Sequence, residues 1–523
     1  MRILILNPPH LAIGSRIPKE QLPPLGLLNI GGAVIDAGHE VTLLDAEIGP
    51  IQHDEIVRRV VEHRPDALLV GHSGSTSAHP IVSELTRRIK SELPQIKMVY
   101  GGVYPTYHFR EILAGEPQID VIVRGEGEIT APTLMNALES GVDLNLVDGI
   151  AFRQGGRIIE TRPATMITDL ESIRTGWELI DHKNYSYYEG MRGVVMQFSR
   201  GCPHKCNYCG QRGFWARWRH RDPIKFAKEI ARLHHEHGVM LFNLADENPT
   251  VNKAVWKELC EAIIAENLPI TIIGSTRADD IVRDADILHL YRKAGMERWL
   301  LGMENTDEAT LQMIKKGGAT KSDREAIRLL RLHGILSLAT WVADFEEVTD
   351  RDMFRSMRQL LSYNPDQIMA LFVTPHRWTG YFRIAKDRRI IQLDQRRWDY
   401  KHQVLESSKM TPFRITLWVK FIEVCLQGRP SGIYRTFLHP DKRVRHGMQW
   451  FNRMGRRVWP HEWMEFWRLK RVKNGPTVSQ FWGAPQDKDE IPLHVQTRGE
   501  RMVEIERDNV VEAMVEERVL VMK

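Results

Sequence analysis

The chain is 523 residues long, 42% apolar and 27% charged, with a formal net charge of +5. Such a length exceeds one ordinary core, so two or three domains are expected, and the composition excludes disordered and collagen-like chains. A modest positive excess spread over a large surface argues against a nucleic-acid partner, which needs a concentrated basic stripe.

The opening residues, Met1-Arg2-Ile3-Leu4-Ile5-Leu6, lack the pattern of a cleaved signal, and no apolar run approaches bilayer length. The expected location is cytoplasmic, without a transmembrane segment; peripheral contact with a membrane stays open. Over residues 1 to 140, short aliphatic runs alternate with amphipathic helical stretches, the pattern of βαβ units and a parallel sheet. Strands are predicted at Arg2 to Leu6, Glu40 to Leu44, Ala67 to Val70, Met98 to Tyr100 and Val121 to Arg124. Turn residues follow each: Asn7-Pro8-Pro9, Asp45-Ala46-Glu47, Gly71-His72-Ser73-Gly74, Gly101-Gly102 and Gly125-Glu126-Gly127. In an open α/β sheet the ligand sits beyond the carboxyl ends of the strands, so these five loops should converge on one crevice with room for a large flat ligand.

Residues 141 to 190 read as a connector, with a hairpin signal at Arg153-Gln154-Gly155-Gly156-Arg157. A second alternating series occupies 191 to 380, with strands predicted at Val194 to Phe198, Met240 to Leu244, Ile270 to Ile273, Trp299 to Leu301, Ile335 to Val342 and Ile368 to Val373. Six such repeats suggest a partial (β/α)6 barrel. From 381 to 523 the pattern turns mainly helical and Trp-rich, and the last forty residues are mixed and acidic.

Of five cysteines, three fall within eight residues, which is no secreted disulfide framework. Cys260, in a helical pattern, and Cys425, in an apolar stretch, are expected to be packing residues. The segment Ser199-Arg200-Gly201-Cys202-Pro203-His204-Lys205-Cys206-Asn207-Tyr208-Cys209-Gly210 reads C-x3-C-x2-C directly after a predicted strand. Thiolates are the protein ligands of iron–sulfur clusters, and a short Gly- and Pro-containing loop lets Cys202, Cys206 and Cys209 converge on one 4Fe-4S cubane. Three ligands leave one iron open for the amino and carboxylate groups of a small molecule. A structural zinc site needs a fourth ligand, and neither His204 nor His220 stands at a zinc spacing.

This loop, with Tyr208 before its third cysteine, resembles the signature of the radical S-adenosylmethionine (SAM) superfamily. That resemblance implies SAM as cosubstrate, held at barrel strand ends by Tyr208, Asp246, Glu247, Ser275, Arg277 and Glu304; a helix N-cap explains Asp246 equally well. Joined to such a barrel, the flavodoxin-like, doubly wound N-terminal domain resembles the cobalamin-binding module of the cobalamin-dependent subfamily. Cobalamin contacts are then expected at Ser73, Ser75, Thr76, Gly101, Gly102, Gly125 and Glu126. No D-x-H-x-x-G follows the first strand, so no cobalt-ligating histidine is predicted.

Further segments extend the resemblance along nearly the whole chain: Pro23-Pro24-Leu25-Gly26-Leu27-Leu28, Val123-Arg124-Gly125-Glu126-Gly127-Glu128, Phe214-Trp215, Arg221-Asp222-Pro223 and Leu244-Ala245-Asp246-Glu247-Asn248-Pro249-Thr250. They are similar to the anaerobic oxidative cyclases that act on magnesium-protoporphyrin IX monomethyl ester. The resemblance implies oxygen-independent closure of the isocyclic ring to give protochlorophyllide, in bacteriochlorophyll synthesis, with electrons from a flavodoxin- or ferredoxin-type donor. A flat, apolar magnesium porphyrin with carboxylates at one edge needs aromatic faces near cations. His376, Arg377 and Trp378 are the expected substrate residues, with His376 as a magnesium ligand; Trp215 and Trp218 with Arg217 and Arg219 are further candidates. Related methylases of hopanoids and chlorins share most of these motifs, so a cobalamin-dependent methyltransferase is the alternative. A non-catalytic iron–sulfur or corrinoid carrier is the third reading, and the three-cysteine set speaks against it.

Overall fold

The computed structural model describes residues 1–9, 20–72, 76–215, 217–317 and 320–483, together with the backbone of two short strands at 496–497 and 501–502. The first five strands, β1 (Arg2–Asn7), β2 (Glu40–Asp45), β3 (Ala67–Val70), β4 (Lys97–Gly101) and β5 (Val121–Val123), form a parallel sheet in the order β2-β1-β3-β4-β5. Strands such as β3, buried at all four positions, read as unbroken apolar runs because helices cover both faces. Helices His53–His63, His79–Glu92 and Val103–Gly115 pack Val60, Leu85 and Ile112 on one side; Leu25–Asp36 and Gly127–Ser140 pack Val34 and Leu134 on the other. The result is a doubly wound, flavodoxin-type domain whose switch point lies between β1 and β3.

The expected hairpin forms, but it does not stay in a connector. Strands β6 (Ile150–Gln154) and β7 (Arg157–Glu160) turn at Gly155 and Gly156, both at positive φ, and β6 pairs antiparallel with β5. The first sheet therefore reaches residue 160, because β6 is buried on both faces, Ile150 and Phe152 on one and Ala151 on the other.

A second seven-stranded sheet follows. β8 (Ser186–Tyr187) is antiparallel at one edge, and β9 (Met191–Met196) opens the parallel series. A short ribbon of β10 (Ser199–Arg200) and β11 (Arg219–His220) stands apart. Next come β12 (Leu241–Leu244), β13 (Thr271–Thr276), β14 (Met296–Glu304), β15 (Leu336–Val342) and β16 (Gln367–Leu371), each parallel to its neighbour in chain order. Six parallel strands with outer helices make the partial barrel the periodicity suggested. Side-chain caps start its helices cleanly: Asp222 precedes Pro223, Asn252 caps Lys253–Ala265, and Thr349 with Asp352 forms a capping box. Helices Pro412–Gly428, Pro430–Phe437 and Lys442–Arg468 follow, the first of them packed on β16. No described helix is long and apolar enough to cross a membrane.

Candidate active site

The cysteine loop is positioned by one buried carboxylate. Asp246, just past β12, accepts hydrogen bonds from the Phe198 amide (3.1 Å), the Ser199 amide (2.5 Å) and the Ser199 hydroxyl (2.6 Å). Three donors occupy it, so it anchors the start of the loop instead of meeting an ammonium group. Its neighbour Glu247 accepts from the Gly201 amide (3.0 Å). Gly201 has φ +88, and a β-carbon there would fall on the Arg217 carbonyl, so only glycine lets the two ends of the loop approach. The far side is tied down by Asn207, whose side chain donates to Met313 O (2.9 Å) and whose amide donates to Ile314 O (3.0 Å).

Cys206 is buried, and its sulfur lies 3.7 Å from Lys316 O; Cys202 and Cys209 are part-exposed, and both sense the charge of Cys206. Burial pushes the Cys202 thiol up to about 11 and the Cys209 thiol up to about 12. Bound iron is what would keep them as thiolates. Among the described residues no three His, Cys, Asp or Glu side chains converge closely enough to share one metal ion. Three thiols on one short loop are a donor set that fits a 4Fe-4S cubane with one open corner.

The other residues expected to hold SAM are tied to the surroundings of the cysteine loop by different links. Arg277 bonds Asp279 and the carbonyls of Lys316 (3.0 Å) and Gly317 (3.3 Å), while its charge reaches Cys202 and Cys206. Ser275 donates to Asp246 O at 3.2 Å. Glu304 ends β14 at a register break, with φ +67, and accepts from Thr340 Oγ1 at 3.3 Å. A bulge with a left-handed non-glycine residue re-aims a side chain, here one whose carboxylate is felt by the Tyr208 phenol. The Tyr208 ring itself packs edge-on against Phe345, centroids 5.1 Å apart. Sequence reasoning gave no sign of Lys316, because its loop carries no motif.

Across from the cluster stands the carboxyl end of the first sheet. Ser73 and Ser75 lie outside the described residues. Gly102, at φ +113, would direct a β-carbon into space where, among the described residues, only His72 O lies within reach, at 3.6 Å, and Gly125 also has positive φ, +79. Bare backbone at these strand ends, with the Tyr107 hydroxyl buried and unpartnered on the helix after β4, fits a broad ligand such as a corrin. Glu126 behaves differently from expectation. Its carboxylate is gripped by Arg219 (2.6 and 3.0 Å) and Arg200 (3.4 Å), and Arg200 also bonds Glu128 (2.5 Å). It is an interdomain clamp, and Arg219, neutralised by it, is not a free cation for a substrate carboxylate.

Residues His376, Arg377 and Trp378 also join the two domains. His376 is fully buried, and its ring is held neutral, with a pKa lowered to about 3 by burial. Nδ1 meets the Thr76 hydroxyl at 3.0 Å and Nε2 meets the Tyr400 hydroxyl at 2.7 Å. Both nitrogens being engaged, the expected role as magnesium ligand is replaced by a bridge between domains. Arg377 forms an ion pair with Glu111. Trp378 donates to Gly210 O in the cysteine loop (2.9 Å) and stacks on Tyr107 at 5.2 Å with rings 2° from parallel. Of these links, His376 to Thr76, Trp378 to Tyr107 and the Glu126 clamp cross between the two units, and Trp378 also holds Gly210, so the cysteine loop and the glycine-rich crevice lie on the same seam.

Comparison with known proteins follows the same division. Residues 17–135 match the B12 binding domain family and residues 196–357 match the radical SAM superfamily. An anaerobic magnesium-protoporphyrin IX monomethyl ester cyclase from Synechocystis sp. is 68% identical over 496 residues, covering 95% of this chain and 99% of the relative. A hopanoid C-3 methylase from Methylococcus capsulatus is 27% identical, covering 75% of this chain and 74% of the relative. Among solved structures, the radical SAM methyltransferase TsrM from Kitasatospora setae shares the fold, with a TM-score of 0.67 at 14% identity over 89% of this chain and 99% of that one.

Proposed function

Because the chain belongs to the anaerobic magnesium-protoporphyrin IX monomethyl ester cyclases, a family that joins a B12 binding domain to a radical SAM domain, we propose that it closes the isocyclic ring of that ester, without oxygen, to give protochlorophyllide. It is an oxidoreductase whose cofactors are a 4Fe-4S cluster, SAM and cobalamin. Near-full-length identity of 68% to the Synechocystis cyclase is the observation that carries the substrate.

In this reading Cys202, Cys206 and Cys209 hold the cluster, and the loop from Thr76 with Gly101, Gly102 and Gly125 supports the corrin. When bound, the cluster supplies the electron that cleaves SAM, and the donor of that electron is a reduced flavodoxin or ferredoxin. The chain's own work is positioning and exclusion. Asp246 and Glu247 fix the loop by its amides; Arg277, Ser275, Glu304 and Tyr208 line the open corner for the amino-acid and ribose ends of the cosubstrate. Trp378, Tyr107 and His376 seal the seam between the domains, which keeps water from a crevice where a carbon radical must meet one hydrogen only. The porphyrin lies in that crevice.

The reconstituted, strictly anaerobic protein given SAM, cobalamin, reductant and magnesium-protoporphyrin IX monomethyl ester is expected to yield protochlorophyllide and 5′-deoxyadenosine. A methylated porphyrin with S-adenosylhomocysteine would replace the cyclase reading by methyl transfer.

A further inference from the structure

We propose that the C-terminal helices dock this enzyme on an anionic membrane surface, through a basic-rimmed apolar face that includes Phe413, Leu417, Phe421, Val424 and Trp467. The inference goes beyond the cyclase reading and does not depend on it.

Eighteen large apolar side chains are exposed among the described residues, and ten of them lie between 413 and 467. Such concentration is unlike the single exposed leucines that any surface carries. Helix Pro412–Gly428 explains it: Ile415, Val419, Ile422 and Leu426 face the barrel, while Phe413, Leu417, Phe421 and Val424 are 43 to 49% exposed. Spacings of four, four and three align those four on one outward stripe. A helix serving one core has no use for a second apolar stripe. The stripe continues through Phe413 to Trp467, whose ring is 5.5 Å away and 68% exposed. Helix Pro430–Phe437 ends on two further exposed apolar residues, Phe437 and Leu438, at 64% and 70%.

Charge selects the occupant. Residues 442 to 473 hold ten Lys or Arg and two acids, Glu462 and Glu465. Both acids are engaged, by Lys420 and by Arg397 with His402. Arg456, Arg457, Arg468, Lys470 and Lys473 are exposed and form no ion pair with a described carboxylate. Aromatic and aliphatic side chains bordered by lysine and arginine match the boundary of an anionic bilayer, and the apolar component sets this face apart from a nucleic-acid groove. A two-fold contact between copies would set these cations against themselves.

The full-length protein is sedimented with vesicles of phosphatidylcholine alone or mixed with phosphatidylglycerol. Binding is expected to the mixed vesicles only and to weaken with salt; the triple variant Phe413→Ser, Leu417→Ser, Trp467→Ser should partition at least about tenfold less, with unchanged circular dichroism. Substituting Arg456→Gln, Arg457→Gln and Lys470→Gln should move binding to lower salt. Equal sedimentation of wild type and the apolar triple variant overturns the proposal. So does a wild type that stays in the supernatant, whether alone or replaced in the pellet by a variant with Glu504, Glu506, Glu512 and Glu516 changed to Gln, which would make the acidic C-terminal segment the occupant. A concentration-dependent dimer abolished by the triple variant, without lipid binding, overturns it in favour of a second copy.

Discussion

Asp344 stands just past β15, 1% exposed, with one carboxylate oxygen bonded and the other bare. Oδ1 accepts from the Val373 amide at 2.7 Å, tying the ends of two strands, while Oδ2 is buried without a partner. Burial outweighs the nearby Arg388 and raises the carboxyl from 3.8 to about 6. The folded state thus binds this proton more tightly than the unfolded chain does. The stability it contributes is complete below pH 4 and is lost as pH rises through 6, an effect of roughly 3 kcal/mol at most. Asp344→Asn keeps an acceptor for Val373 and removes the charge. Its urea midpoint is expected to exceed that of wild type at pH 7.5 and to converge with it toward pH 4; parallel midpoints across that range would remove burial as the cause.

The strands of both sheets were legible where a run is buried on both faces, as at β3, whose predicted and observed limits coincide. β14 extends past its expected limits at both ends; at its start Glu297 and Arg298 are polar but buried, Arg298 lying 5.0 Å over the Trp450 ring. Hydropathy cannot register a cation that an aromatic face accommodates. The hairpin was visible in its two glycines, but its attachment to β5 was not, since pairing depends on a distant edge. In the same way the spacing of Cys202, Cys206 and Cys209 announced the cluster, whereas the carboxylate that sets the loop, Asp246, lies 47 residues from Ser199. The ribbon of β10 and β11 is the element on which that loop hangs. Gly201→Ala must push β10 off the Arg217 carbonyl, since no rotamer relieves a β-carbon clash with backbone. The variant is expected to fold with normal circular dichroism and to lose most of its iron and its brown absorbance after anaerobic reconstitution. Full iron content in that variant would mean the ribbon yields without cost.

At the scale of the molecule, two α/β units meet across a seam that includes a buried charge cluster. Glu126 is the hub: its side chain is 1% exposed, and it balances Arg219 and part of Arg200, themselves 8% and 4% exposed. Placing these charges out of water is costly, and their mutual attraction roughly repays that cost only while all are present. Glu126→Ala leaves Arg219 buried without its carboxylate, a loss of about 3–5 kcal/mol. Arg219→Met in the same chain removes the stranded charge, so the double variant should unfold at a higher temperature than Glu126→Ala alone. The same pair should separate the seam from the modules. Glu126→Ala is expected to retain the far-ultraviolet spectrum of both sheets while trypsin gains access between them, and the double variant to recover protection. If the single and double variants melt together, the clamp holds no energy, and the joining of the two units must rest on Trp378, Tyr107 and the His376 bridge instead.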